Sequence, residues 1–96
     1  MRPSEVLDKN RAALRALVLR HRVRNPRLFG SVISGADSEL SDLDLLVDPT
    51  PDTTLMDIAA IRYEAKRLLG MTVDVLTPNA LPDSFRDEVI AVAVPL

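Results

Sequence analysis

Residues 28–48 read LFGSVISGADSELSDLDLLVD, and the fold turns on how Asp42 and Asp44 sit within them. The run from Asp42 to Val47 is strand-like, with Leu43, Leu45 and Val47 on the side that suits a core. Side chains alternate across a strand, so Asp42, Asp44 and Leu46 share the other side, the two aspartate Cα atoms roughly 6.5–7 Å apart. Aspartate is disfavoured in strands. Like charges held that close disfavour joint ionisation unless something positive lies between them. The pair therefore faces open water or holds a cation.

Upstream, Gly30 closes a short strand, RLFG, and Ser31 opens a loop or single helical turn that runs to Ser41. Backbone N–H groups at such a junction bind phosphate, glycine permits close approach, and a hydroxyl adds a donor. Downstream, TVDVLT reads as a third strand, with Val73 and Val75 pointing one way and Asp74 the other, alongside Thr72 and Leu76. If the second and third strands are neighbours, about 4.8 Å apart, Asp74 converges on Asp42 and Asp44. Three carboxylates make an oxygen-rich site suited to Mg²⁺. Two such ions about 3.5–4 Å apart form the arrangement for in-line displacement at phosphorus. Taken singly, a D-x-D pair is an exposed strand start and a Gly-Ser pair an ordinary turn. Their combination points to phosphate chemistry.

The rest of the chain builds a frame around these residues. Ser4 can cap a first helix whose stripe is Leu7, Leu14, Leu17 and Val18, lasting to about His21 and broken by Asn25–Pro26. A second helix starts at Asp52 or Thr53, carries Leu55, Ile58, Ile61, Ala65 and Leu68, and stops at Gly70. A last helix begins near Asp83 or Ser84. The order helix, strand, strand, helix, strand, helix predicts an α/β (α+β) fold, a small mixed sheet flanked by helices. The length predicts one domain over residues 1–96.

Hydrophobic residues make up 47% of the chain, and Phe29, Tyr63 and Phe85 are its aromatics, so the core is aliphatic. The absence of cysteine excludes thiolate metal sites, and the single histidine, His21, weighs against a histidine-based one. MRPSEVLDKN has no apolar leader-like run and no stretch approaches a membrane span, so a soluble, cytoplasmic protein is the expectation. Residues 1–27 sum to +6 and the remainder to −8. That asymmetry suits a partner carrying phosphate or opposite charge. The lack of aromatics among the basic residues weighs against nucleic acid. Arg11 and Arg15 read as a solvated helix face.

The pattern G-S, ten intervening residues, D-x-D and a third-strand aspartate resembles the nucleotidyltransferase superfamily that includes DNA polymerase beta, specifically its minimal members, the MNT-type antitoxins. The similarity runs over nearly the whole chain, from LFGS through SDLDLLVD and VDVLTP to AVPL. It implies an NTP donor, ATP, and Mg²⁺, with two ions held by Asp42, Asp44 and Asp74. It implies that Gly30 and Ser31 bind the triphosphate, and that Asp74 also serves as general base. Minimal members typically pair with a HEPN-domain toxin, and some transfer AMP to a toxin tyrosine, which implies a hetero-oligomer. The chain departs from the family at Ser34, where many members carry arginine in GSxARG; Arg24, Arg27 and Arg62 are the possible replacements.

Two other readings stand beside transfer to a toxin. One is an antitoxin that neutralises by binding alone, which the missing arginine favours. The other is a transferase acting on RNA ends or a small alcohol, which lacks residues for an acceptor domain. His21 reads as a cap or surface residue, Asp48 as a strand-end turn residue, and Tyr63 as buried beside the second helix's stripe. The apolar tail VIAVAVPL reads as part core, part exposed patch.

Overall fold

Leu7, Leu14, Leu17 and Val18 are all buried along one side of α1 (Pro3–Leu19), the first helix of the computed structural model, which describes all 96 residues. Its start differs from the expectation. Arg2 holds the cap position and Pro3 the first turn, where proline's missing N–H has no intrahelical partner to lose. Ser4 lies inside the helix, and its backbone N–H donates to Asp37 Oδ2 at 3.1 Å.

Strand β1 (Val23–Phe29) begins at Val23 rather than Arg27, because Asn25–Pro26 does not end an element. It sits at a bulge inside one. Asn25 takes φ 51°, a region asparagine tolerates, and the register to the next strand shifts between Arg24 and Arg27. A bulge is where a strand can accept proline.

A four-residue helix, α2 (Ser31–Ser34), and a loop then lead to β2 (Leu43–Pro49). Helix α3 (Leu55–Leu69) crosses over to β3 (Val73–Leu76), which pairs parallel to β2. Thr54 caps α3 in a reciprocal capping box with Asp57, and Gly70, at φ 71°, stops it as expected. A short 3-10 turn (Pro78–Ala80), α4 (Arg86–Val92) and β4 (Val94–Pro95) complete the chain. The sheet order is β3-β2-β1-β4, with β1 antiparallel to both β2 and β4.

The two faces of this sheet differ. On one, α1 and α3 bury Leu28, Leu43, Leu45, Val47, Val73 and Val75. On the other, Phe29, Leu46 and Leu81 form a smaller cluster, with Val89 of α4 and Ala93 just after that helix packed against it. The odd–even split of β2 is therefore as the sequence predicts. The α3 stripe is Ile61, Ala65 and Leu69; Leu55, placed in it by spacing, is 88% exposed in the first turn. No helix is long and apolar enough to cross a membrane.

The tail is the mixture expected, with an unforeseen strand. Leu96 is buried in the main core while Val92 and Val94 are exposed. Arg11 and Arg15 are not merely solvated. Arg11 Nη2 donates to the Pro95 carbonyl at 2.9 Å and Arg15 Nη1 to the Leu96 carbonyl at 3.4 Å.

Candidate active site

Parallel pairing of β2 and β3 sets Asp44 and Asp74 opposite each other in the same register. Both are half-buried, on the face away from α1 and α3. Asp42 stands just before β2 and is exposed. Burial, then the charge of Asp74, then that of Asp42 push the Asp44 carboxyl up from 3.8 to about 6. Burial leads at Asp44, and the crowding anticipated from the sequence adds to it.

Gly30 closes the site from the β1 side. Phe29 pairs with Asp44 across the antiparallel ladder, so the next residue along β1 lies against that carboxylate. A Cβ added at Gly30 would lie 2.2 Å from Asp44 Oδ2 and 3.1 Å from its Cγ. Gly30 also takes φ 78°, a region L side chains rarely adopt. Glycine is required there twice over. Ser31 then opens α2, in which the Ile33 and Ser34 N–H groups both donate to the Gly30 carbonyl at 3.1 Å. Ser34 is exposed, its hydroxyl donating to the Ser31 carbonyl at 3.2 Å.

Asp37 anchors the loop between α2 and Asp42, a role no local sequence signal marks, because its partner Ser4 belongs to another element. Asp37 is 8% exposed, and its carboxyl is held below the ordinary carboxylate range, chiefly by the Ser4 backbone N–H and then by the Ser4 hydroxyl. Further along, the Ser38 N–H donates to Ser41 Oγ at 2.9 Å and the Ser41 N–H to the Ser38 carbonyl at 3.0 Å. The lead-in to Asp42 is fixed at both points.

None of the candidate arginines takes the place left at Ser34. Arg27 is buried and committed: Nη2 meets Asp48 Oδ1 at 2.9 Å, and Nη1 donates to the Asn25 carbonyl at 2.6 Å. Asn25 Nδ2 donates to the other Asp48 oxygen at 3.1 Å. Asp48 is thus the partner of a buried guanidinium rather than a turn residue. Arg24 is exposed opposite Asp48, and Arg62 belongs to α3 behind the sheet. His21 Nε2 lies 2.8 Å from Glu64 Oε2, joining the end of α1 to α3, with Arg20 on the other Glu64 oxygen at 2.9 Å. Tyr63 is 61% exposed, not buried; it falls off the Ile61–Ala65–Leu69 stripe and lies under the Arg67 guanidinium, 5.8 Å from the ring centre.

The three carboxylates do not close into a ready three-ligand metal cluster. What fits a divalent ion is the donor set: oxygens alone, on three acidic side chains, with Asp44 raised by burial and then by the charges of Asp74 and Asp42, a repulsion a cation would relieve.

Comparison with known proteins agrees with this architecture. The chain is 35% identical over 78 residues to MJ0435 of Methanocaldococcus jannaschii, named as a candidate protein adenylyltransferase, covering 81% of this chain and 84% of that one. MJ1217 of the same organism, named likewise, is 27% identical over 84% of this chain and 80% of its own length. A solved structure of a candidate minimal nucleotidyltransferase superposes with a TM-score of 0.86 at 39% identity, covering 97% of this chain and 95% of that one. A toxin–antitoxin crystal structure with AMP-PNP shares the fold at 17% identity and a TM-score of 0.69, over 86% of this chain and 69% of that one. The sequence profile described as polymerase beta, nucleotidyltransferase, matches residues 15–96, and the chain belongs to that nucleotidyltransferase family.

Proposed function

We propose that this protein transfers AMP from ATP to a hydroxyl group, a tyrosine, of a HEPN-type toxin and so neutralises it. The observation that carries the reading is the in-register Asp44–Asp74 pair beside Asp42, closed by a glycine that only a missing Cβ lets approach. Gly30 and Ser31 at the start of α2 receive the triphosphate. Asp42, Asp44 and Asp74 hold two Mg²⁺ ions, which supply charge neutralisation for the triphosphate and the leaving group.

In the reaction the phenolic oxygen attacks the α-phosphorus of ATP. An O–P bond to tyrosine forms, the bond from the α-phosphorus to the bridging oxygen breaks, and pyrophosphate leaves. The phenolic proton, which titrates near pH 10 in an unperturbed tyrosine, passes to the Asp74 carboxylate. Positioning and charge carry such a transfer, and the chain supplies both from two paired strands and one turn.

A second reading has a specific observation in its favour. Ser34 stands where relatives use arginine, and Arg27 is already occupied by Asp48. Under that reading the protein neutralises its toxin by binding alone. Co-expression with the protein encoded by the neighbouring gene separates the two. Intact-mass increments of adenylyl groups on that protein, absent with the Asp42→Asn/Asp44→Asn variant, support transfer. An unmodified partner neutralised equally by both versions supports binding alone.

A further inference from the structure

We infer that the free edge of β3 is the docking surface for the acceptor: an extended segment of the acceptor protein pairs with the β3 backbone and so carries its hydroxyl to the face that bears Asp44 and Asp74. This inference rests on the transfer reading above and names how the acceptor is held.

The two edges of the sheet are built differently. Exposed edges invite pairing with other chains, and proteins blunt them with very short strands, proline or covering groups. β4 has all three: it spans two residues, includes Pro95, and has Arg11 and Arg15 on the Pro95 and Leu96 carbonyls. β3 is four residues of Val-Asp-Val-Leu with no proline, no bulge and no side chain bonded along its outer side.

Backbone parity then places the open groups. The Leu43 N–H donates to the Thr72 carbonyl at 3.2 Å, and the parallel register pairs Asp44 with Asp74. In a parallel ladder alternate residues turn their polar groups to the same neighbour, so Asp74, like Thr72, faces β2. Val73 and Val75 turn their N–H and C=O groups outward, while their side chains are buried in the core. An incoming strand finds rigid donors and acceptors there, on either side of Asp74.

The row of side chains across the sheet gives this edge its meaning. Phe29, Asp44 and Asp74 are successive register partners on one face. One more strand adds one more member to that row, its Cα about 4.5–5.5 Å from that of Asp74. A tyrosine at that position stands on the carboxylate face, next to the group proposed to take its proton. Recognition of this kind comes from main-chain hydrogen bonds, with side-chain preference only at alternate positions. The acceptor is accordingly an extended or unfolded segment, short because β3 itself spans four residues before the turn that opens at Pro78.

The test uses the full chain with a capped peptide, Thr-Val-Thr-Tyr-Thr-Val-Thr. Amide hydrogen exchange at Val73 and Val75 is followed as peptide is added, and the peptide mass is measured after incubation with ATP and Mg²⁺. At a peptide concentration about ten times its Kd, exchange at those two amides is expected to slow about tenfold. N-methylation of one alternate set of peptide residues is expected to abolish the slowing and the other set to leave it, since only one set faces β3. No slowing at millimolar peptide, or equal loss from both sets, overturns the inference. So does slowing that grows with protein concentration in the absence of peptide, which assigns the edge to a second copy. Slowing without adenylylation of the peptide keeps the docking surface and sinks the transfer reading. Adenylylation without slowing does the reverse.

Discussion

An added Cβ on Gly30 would fall 2.2 Å from Asp44 Oδ2, so the backbone at position 30 and the carboxylate at position 44 occupy mutually exclusive space with any other residue. Gly30→Ala must therefore displace Asp44 or lift the α2 turn away from β2. Transfer is expected to fall about 100-fold, the scale of a 1 Å misplacement. At φ 78° and ψ −151°, a region essentially reserved for glycine, strain adds a cost of about 1–3 kcal/mol to the fold. A thermal melt beside a rate measurement separates the two effects. An alanine variant with undiminished transfer would show that Asp44 need not sit where it does.

Asp44 also sets a pH dependence with an unusual sign. Its carboxyl is raised from 3.8 to about 6, so between those values the folded chain holds a proton that the unfolded chain releases. Stability from this group is present at low pH and is lost as pH rises toward 6. The shift corresponds to about 3 kcal/mol undiscounted, and solvent screening of a half-exposed group reduces it to about 1–2 kcal/mol. Asp44→Asn is expected to stabilise the metal-free protein by that amount at pH 7 while abolishing transfer. Added Mg²⁺ is expected to raise the melting temperature of the wild type but not of the variant. Asp37, Asp57 and Glu64 act oppositely. Their carboxyls are held low, chiefly by the Ser4 N–H, the Thr54 N–H and Arg20 respectively, and the stability they lend is lost as pH falls through the acid range. A denaturant series from pH 3 to pH 8 reads all four.

Arg27 is assigned to the scaffold. Arg27→Met removes its bonds to Asp48 and the Asn25 carbonyl while keeping the packed stem, and Asp48, at 39% side-chain exposure, remains solvated. The expected loss is about 1–3 kcal/mol of stability. Nucleotide affinity is expected to stay within about twofold. A tenfold loss of affinity with an intact fold would instead make Arg27 the stand-in for the arginine missing at position 34.

Ser34 offers the converse experiment. It is exposed at the end of α2 and bonded only within its own turn, so an arginine can be placed there without disturbing the core. Under the transfer reading Ser34→Arg is expected to raise kcat/KM about tenfold, equal to about 1.4 kcal/mol of transition-state stabilisation. No change in rate, together with unchanged neutralisation of the toxin, favours binding alone.

The carboxylate row was legible because a strand has a period of two: once Leu43, Leu45 and Val47 are given to the core, Asp44 has one side left. The same parity fixed Asp74 and required only that β2 and β3 be neighbours. Asn25–Pro26 misled because a proline that usually ends an element is accommodated here by a bulge. β4 was hidden in VIAVAVPL, an unbroken apolar run without the alternation that separates a strand from a helix. Tyr63 and Leu55 were misplaced for a different reason. A helical stripe is about one-third of the circumference, and small errors in its phase move a side chain from core to solvent. The Asp37–Ser4 bond joins elements that only the folded chain brings together, and no periodicity announces it.

The Arg11 and Arg15 contacts with the tail join residues 84 and 81 positions apart. By contrast, β2, α3 and β3 follow one another directly along the chain. Closing a long loop costs entropy that a short crossover avoids, so the clasp between α1 and β4 is expected to form late in folding. An interaction formed that late governs escape from the native state rather than arrival at it. Loss of Arg11 is expected to quicken unfolding while leaving the folding rate unchanged, which makes the first helix and the final strand the lock on the protein's lifetime.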